Sequence, residues 1–187
     1  QGESQIYLTC GKSNHGTLRQ LTHGLSVIEM ATSPMPLKPV RVLTIKATTS
    51  DSLDKYLIVS FEQTSLILGI NEGKISSVTD SGFCKDEPTL HAGVLADGSY
   101  VQVKRSQIVH VRQHLKQANQ SLQQDKRLIR AACSNAKQVI IQVEEDQLIC
   151  FELDSQQGGL VQKGQKLFKD KEARIRAIDV GPVPEGR

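Results

Sequence analysis

The chain has 187 residues, of which 38% are hydrophobic, 4% are aromatic and none is tryptophan, so its core must consist mainly of branched aliphatic side chains. Its 23 basic and 20 acidic residues give a net charge of +3, without the strong positive bias typical of nucleic-acid-binding domains. No apolar run approaches the ~18 residues of a membrane span. The four cysteines form no Cys-x-x-Cys pair, which disfavours zinc ribbons and redox motifs and favours a reducing, intracellular compartment.

The first part of the chain predicts short strands separated by turns. Gln5–Cys10 and Thr17–Leu21 have the length and apolar content of strands joined by a turn-rich connection. Three prolines in 34–39 then break any regular element, because proline donates no ladder hydrogen bond. Val40–Ala47 alternates well enough to predict a further strand. The chain opens without Met and ends on Arg187 in a loop-like segment, so we expect it to be an excised piece of a longer protein.

A strand–turn–strand unit recurs three times in the middle of the chain. Each unit has two apolar runs around a polar connection that is too short for a crossover helix and suits an antiparallel hairpin. The units are Lys55–Ile70, Tyr100–Val111 and Val139–Phe151. Aligning Leu66 with Ile108 and Leu148 gives a period near forty residues, which is the blade period of a β-propeller.

This repeat predicts an all-β fold, a partial β-propeller with WD40-like blades of antiparallel strands and about four blades of an incomplete ring. We interpret 1–187 as a single fragment of a propeller domain, with approximate repeats at 1–54, 55–95, 96–132 and 133–187. The glutamine-rich segment Gln113–Gln124 interrupts the pattern. It is either a short amphipathic helix or an irregular connector, and its few apolar anchors favour the connector.

Basic side chains gather in 104–130, where Asp125 is the only acidic residue. If the second hairpin tip and the connector project from one rim, they form a positive surface for phosphate or for an acidic protein partner. The same interval has no aromatic residue for base stacking, which weakens an RNA-binding interpretation. Direct RNA contact, an acidic partner and an ordinary solvated face all stay open. The predicted partner-contact residues are Lys104, Arg105, Arg112, Lys116, Lys126, Arg127 and Arg130.

No catalytic, cofactor-binding or metal-binding residue is predicted. His110 and His114 are four residues apart, but no third ligand is spaced nearby. Asp80, Ser81 and His91 supply the residue types of a catalytic triad, yet a turn explains the Asp-Ser-Gly sequence without chemistry. The sequence also contains no glycine-rich phosphate-binding loop. We therefore expect a protein that is not an enzyme.

Several segments carry a family resemblance in the same order along nearly the whole chain. They are His23–Met30, Tyr56–Ile70, Val78–Phe83, Pro88–Leu90, Val101–Val103, Ile108–Arg112 and Leu148–Asp154. These segments resemble the splicing factor 3b subunit 3 family of multi-propeller scaffolds. That family also includes the large subunit of damaged-DNA-binding protein and the largest subunit of cleavage and polyadenylation specificity factor. The resemblance implies that the chain is the opening part of the middle of three propellers.

The resemblance also implies a function and partners. It implies a non-enzymatic scaffold in the nucleus, within the splicing factor 3b complex of the U2 small nuclear ribonucleoprotein, which helps to recognise the branch site in pre-mRNA splicing. The implied partners are the helical-repeat subunit 1, a small zinc-finger subunit, a short subunit and the rest of its own chain, which would close the propeller. No cofactor and no membrane association are expected. The alternative is an RNA- or DNA-contacting propeller like the damaged-DNA-binding or polyadenylation relatives.

Overall fold

The computed structural model describes residues 6–10, 17–21, 32, 34–71, 74–112, 115–123, 127–154, 156, 158–168 and 175–183. The chain divides into two compact units, 1–34 and 35–187. In the first unit, β1 (Ile6–Cys10) and β2 (Thr17–Leu21) form an antiparallel hairpin, which confirms the two strands predicted there.

The second unit contains three four-stranded antiparallel sheets, and in each sheet consecutive strands are neighbours. The first sheet comprises β3 (Arg41–Lys46), β4 (Asp54–Ser60), β5 (Ser65–Asn71) and β6 (Lys74–Ser77). The second comprises β7 (Thr89–Val94), β8 (Tyr100–Lys104), β9 (Gln107–Val111) and β10 (Gln120–Gln123). The third comprises β11 (Ile129–Ser134), β12 (Gln138–Val143), β13 (Gln147–Asp154) and β14 (Gly159–Leu167). These successive, unclosed sheets confirm the predicted partial propeller.

The three predicted hairpins are all present. They are the antiparallel pairs β4–β5, β8–β9 and β12–β13. A tight turn joins β7 and β8, in which Leu95 N donates to the Ser99 carbonyl at 2.8 Å. Gly98 has a φ of 80° in this turn, a conformation that favours glycine over residues with a Cβ atom. In the described part of the chain, no helix has the length and apolar character needed to cross a membrane.

The glutamine-rich connector contains a strand that the sequence did not predict. Gln120–Gln123 form β10, which pairs with β9 and completes the second sheet. The side chain of Gln120 bonds to the backbone of the third sheet, because its Nε2 donates to the Leu160 carbonyl at 3.2 Å and its Oε1 accepts from Leu160 N at 3.0 Å. A polar side chain therefore joins the two sheets here, and hydrophobic periodicity does not detect such a contact. Gln113 and Gln124 lie outside the described residues.

The sheets are out of phase with the predicted repeats by one strand. The predicted repeats 55–95, 96–132 and 133–187 open with the second strand of a sheet, namely β4, β8 and β12. The sheets themselves open with β3, β7 and β11. The assignment of the whole chain to one propeller domain stays a prediction.

The register that the sequence alignment assumed is wrong by one residue in the second sheet. The last pair before the turn is Ser60–Ser65 in the first sheet and Val103–Ile108 in the second. Ile108 therefore corresponds to Ser65 and not to Leu66. A shift of one residue moves every side chain of a strand to the opposite face of its sheet.

Two apolar clusters hold the three sheets together. The cluster between the first and second sheets includes Ile45, Ile58, Ile67, Tyr100, Val109 and Val111. The cluster between the second and third sheets includes Val101, Val103, Ile108, Ile129, Ile141 and Ile149. Because successive side chains of a strand point to opposite faces, Tyr100 contributes to the first cluster and its neighbour Val101 to the second. The second sheet is therefore covered on both faces, and all five residues of β8 are buried.

Aromatic side chains are few, but three of them meet in the first cluster. The ring centroids of Tyr56, Phe83 and Tyr100 are 5.5 to 5.7 Å apart, with edge-to-face and stacked contacts. Such pairs stabilise a core by about 0.5–1.5 kcal/mol beyond their buried area. The hydroxyl of Tyr100 also donates to the Ala47 carbonyl at 3.2 Å, so the second sheet is bonded to the loop after β3.

The core assignment predicts different costs for two isoleucine substitutions. Ile141 is fully buried between the second and third sheets, whereas Ile75 in β6 is 58% exposed. Ile141→Ala should lower the free energy of unfolding by about 2–5 kcal/mol because it leaves a cavity. Ile75→Ala should change it by about 0.5 kcal/mol or less. Urea unfolding followed by circular dichroism measures both, and equal losses would contradict this packing.

Candidate functional site

The first strands of the three sheets begin at a common cleft. β7 lies against both β3 and β11. The first residues of these strands, together with the β4–β5 and β8–β9 turns, line a cleft of about 670 Å³. Its charged residues are Arg41, Glu62, Arg105 and Arg130. We call it the strand-end cleft.

The structure divides the predicted basic surface between two ends of the second sheet. Lys104 and Arg105 come immediately before β9, whereas Arg112 and Lys116 follow it. A five-residue strand is roughly 17 Å long. Arg127 and Arg130 lie at the same end as Arg105, whose carbonyl accepts a hydrogen bond from Ile129 N at 2.8 Å. The hairpin tip and the connector therefore do not project from one rim. Lys126 lies outside the described residues.

Lys104 is buried and neutralised by two carboxylates. Its side chain is 0% exposed, and its Nζ lies 2.9 Å from Asp86 Oδ1 and 3.6 Å from Glu87 Oε1. The hydrogen bond from Lys104 lowers the pKa of Asp86. Glu87 also accepts hydrogen bonds from the backbone N and Oγ of Ser106, at 3.2 and 2.6 Å. Lys104 thus holds the β8–β9 turn to the segment before β7, and its charge is not displayed to a partner.

Arg112 also has an internal role. Its Nε donates to the Ala118 carbonyl at 3.0 Å and its Nη1 donates to the Gly158 carbonyl at 2.6 Å. These bonds shape the loop after β9 and join it to the start of β14 in the third sheet. Lys116 lies on the same loop, is exposed, and has a φ of 59°. Of these two residues, Lys116 is the one whose charge faces solvent.

The remaining basic residues differ in how strongly they are held. Arg127 donates to Gln147 Oε1, and Arg130 forms an exposed ion pair with Glu144 at 3.0 Å. An exposed ion pair of this kind stabilises a fold by about 0–1 kcal/mol, so another carboxylate can replace Glu144 at little cost. Arg105 is exposed, and its guanidinium makes no hydrogen bond or ion pair with any residue that the structure describes. The predicted partner-contact role of these residues stays a prediction.

Arg41 belongs to the cleft and was missed by the sequence analysis. It is the first residue of β3, and its Nη1 donates to the Leu90 carbonyl at the start of β7. Arg130 has the corresponding place near the start of β11. Arg130 was among the predicted residues, whereas Arg41 lies outside the basic cluster in 104–130 and shows only when the first strands of the sheets are compared.

The described residues include two serine–histidine contacts, one between two strands and one between a turn and a strand. His91 Nε2 lies 2.8 Å from Ser134 Oγ, across β7 and β11. Burial and the nearby charge of Arg41 lower the pKa of His91 to about 4. A general base works best with a pKa near the working pH, and a cation beside the imidazole opposes the protonated form. The pKa of His91 is thus low for a general base at neutral pH, and its contact with Ser134 joins two strands.

The second contact is the buried centre of a chain of polar groups. His110 Nε2 lies 2.6 Å from Ser99 Oγ, which also donates to Asp97 Oδ1 at 2.5 Å. His110 Nδ1 lies 3.4 Å from Gln120 Oε1, so the chain reaches from the β7–β8 turn to β10. Ser99 and His110 are both 0% exposed, and burial lowers the pKa of His110. The hydroxyl of Ser99 and the ring of His110 are therefore closed to solvent.

The other candidate groups do not converge on a site within the described ranges. Ser81 Oγ accepts from Phe83 N at 3.4 Å, which is a local turn interaction, whereas His91 bonds to Ser134 instead. His114 lies outside the described residues. Among the residues that the structure describes, no three His, Cys, Asp or Glu side chains are arranged to hold a metal ion.

Comparison with known proteins identifies the family. The family model described as the RSE1/DDB1/CPSF1 second beta-propeller matches residues 27–183. The chain belongs to this family. All three four-stranded sheets fall within the matched region. The family's description agrees with the expectation that the chain comes from the middle propeller of a multi-propeller protein.

Several named relatives align with nearly the whole length of this chain. Splicing factor 3B subunit 3 of Drosophila melanogaster is 38% identical over 97% of the chain and 14% of its own length. Pre-mRNA-splicing factor rse1 of Neurospora crassa is 36% identical over 97% of the chain and 15% of its own length. Spliceosome-associated protein 130 A of Arabidopsis thaliana is 36% identical over 98% of the chain and 15% of its own length. These matches confirm the resemblance, and the chain spans about one seventh of these relatives.

Lys104 is buried and Arg105 is exposed, so reversing the charge of each should change the folding free energy by different amounts. Lys104→Glu adds a third carboxylate beside Asp86 and Glu87 at a fully buried position, and should cost about 3–5 kcal/mol of folding free energy. Arg105→Glu changes an exposed residue and should cost about 0.5 kcal/mol or less. Urea unfolding of both variants measures the difference. A fully stable Lys104→Glu variant would show that Lys104 is not buried.

The lowered pKa of His91 predicts a loss of stability in acid. Between pH 6.5 and about 4, the unfolded chain binds a proton at His91 that the folded protein does not bind, so stability falls as the pH falls. The expected loss from His91 is about 2 kcal/mol between pH 8 and pH 5. His91→Gln keeps a polar side chain near Ser134 but does not titrate, so it should flatten this part of the profile. An unchanged slope of urea stability against pH in His91→Gln would refute the assignment.

Proposed function

We propose that the chain is part of a non-enzymatic protein-interaction scaffold of the nuclear pre-mRNA splicing machinery. The observation that carries this proposal is its 38% identity, over 97% of its length, to a protein named splicing factor 3B subunit 3. Relatives from a fungus and a plant also have splicing names. Three consecutive blade-like sheets support a scaffold, because such sheets present many short turns at their two ends for binding.

The internal contacts support a role without catalysis. Both described serine–histidine contacts join neighbouring elements, and neither histidine has a raised pKa that would suit a base. Most of the predicted basic residues also bond within the protein, as the contacts of Lys104, Arg112, Arg127 and Arg130 show. The buried and paired side chains thus stabilise the blades. The exposed strand ends are left for recognition.

The proposed assembly is the splicing factor 3b complex, in which the protein would help the U2 small nuclear ribonucleoprotein to recognise the branch site. Its proposed partners are the helical-repeat subunit 1, a small zinc-finger subunit and a short subunit. The rest of its own chain would complete the propeller. The separation of the basic residues between two ends supports protein contacts over a continuous phosphate-binding surface.

Affinity purification from nuclear extract tests this function. We expect the tagged full-length protein to recover splicing factor 3b subunits even after nuclease treatment, because the contacts are between proteins. Recovery of a ubiquitin ligase or of polyadenylation factors without splicing proteins would overturn the proposal. So would recovery that nuclease abolishes, since it would indicate contact through RNA.

A matched pair of variants tests the contribution of these three sheets. Ile141→Asp places a charge in the core between the second and third sheets, whereas Ile75→Asp places it on exposed β6. In the full-length protein, Ile141→Asp should lose partners that Ile75→Asp keeps. Identical sets of recovered proteins would show that this segment does not act as a scaffold.

A further inference from the structure

The strand-end cleft combines exposed apolar side chains with arginines. Val40 is 66% exposed and Leu128 is 44% exposed, and both line the cleft. The lining also includes the buried ring of Phe61 and the half-buried Leu90. Arginine is enriched at protein–protein interfaces, and the fully buried part of such an interface is more apolar than the rest of the surface. The cleft volume of about 670 Å³ lies within the range of roughly 300–1,000 Å³ found for ligand sites.

The charge of the cleft is positive and only partly compensated. Arg41, Arg105 and Arg130 line it against the single carboxylate of Glu62. Arg41 donates a hydrogen bond to the Leu90 carbonyl, and this bond fixes the position of its guanidinium group. Among the described residues, Arg130 is paired with the half-buried Glu144, and Arg105 has no side-chain partner. Two of the three arginines are therefore available to an incoming carboxylate.

We propose that the strand-end cleft binds a short acidic segment of a partner protein, in which glutamate or aspartate residues are interspersed with leucine-like residues. The acidic side chains would accept bidentate hydrogen bonds from Arg105 and Arg130. The aliphatic side chains would cover Val40 and Leu128, whose exposure otherwise costs hydrophobic free energy. This inference rests on the proposed scaffold role and names the chemistry of one of its partners.

The same cleft is a poor site for single-stranded RNA. Base recognition in unpaired RNA depends on aromatic faces that stack with the bases. Phe61 is the aromatic residue of the cleft lining, and it is only 3% exposed. Phosphate binding along a strand also needs a continuous basic track, whereas the exposed Lys116 lies at the opposite end of β9. The apolar and basic composition therefore favours an acidic peptide.

A binding experiment with a defined peptide tests the inference. The probe is a fluorescein-labelled peptide in which glutamates alternate with leucines, titrated with the full-length protein and followed by fluorescence anisotropy. We expect saturable binding that weakens with added salt, and no binding of the same peptide with lysine in place of glutamate. Arg105→Glu should weaken binding about tenfold or more, because it replaces a charge-assisted hydrogen bond by repulsion.

The matched control is Lys116→Glu, which makes the same charge change on an exposed residue at the other end of β9. It should change the affinity less than about twofold, because the separation exceeds the Debye length. Equal weakening by both variants, or none by Arg105→Glu, would overturn the inference. Binding of an oligouridine probe that Arg105→Glu abolishes, without peptide binding, would also overturn it in favour of RNA. These outcomes do not depend on recovering splicing proteins from extract, so the cleft and the proposed function can fail separately.

Discussion

The second sheet is covered on both faces, and the arrangement of the other sheets depends on it. Successive residues of β8 face opposite neighbours: Tyr100 packs toward the first sheet and Val101 toward the third. The polar residues of β8 are buried as well, because Gln102 and Lys104 form hydrogen bonds with the segment before β7. In the described residues, every buried side-chain nitrogen and oxygen has a hydrogen-bond partner. Burial of both faces of the second sheet thus fixes the positions of its neighbours, and the strand ends are the parts left exposed to bind a partner protein.

Most of the fold could be predicted from the sequence, but its register could not. Short apolar runs around polar turns gave the three hairpins, because a hairpin is a local feature. A strand buried on both faces has no alternation of apolar and polar residues, so the alignment of Leu66 with Ile108 was not constrained by a period of two. β10 was missed for the opposite reason. Gln120 bonds through its amide to Leu160, and this contact has no hydrophobic signature.

The candidate site was harder to predict, because the sequence does not show whether a charged side chain is buried or exposed. Lys104 and Arg105 are adjacent, yet Lys104 ends β8 and is buried against Asp86, whereas Arg105 lies in the turn that follows and is exposed. Arg41 joins Arg105 only through the lateral packing of the sheets, across a long interval of sequence. The family could be recognised because it depends on many residues in order. The cleft depends on a few side chains whose orientation follows from the fold.

Amide hydrogen exchange of the full-length protein, resolved by strand, tests most directly whether the second sheet is enclosed by its neighbours. If it is, the amides of β8 should be among the slowest to exchange, because opening them requires separation of both apolar clusters. The amides of β6, whose four residues are all exposed, should exchange much faster. Exchange in β8 as fast as in β6 would contradict the packing of three consecutive blades from which the cleft and the scaffold role are derived.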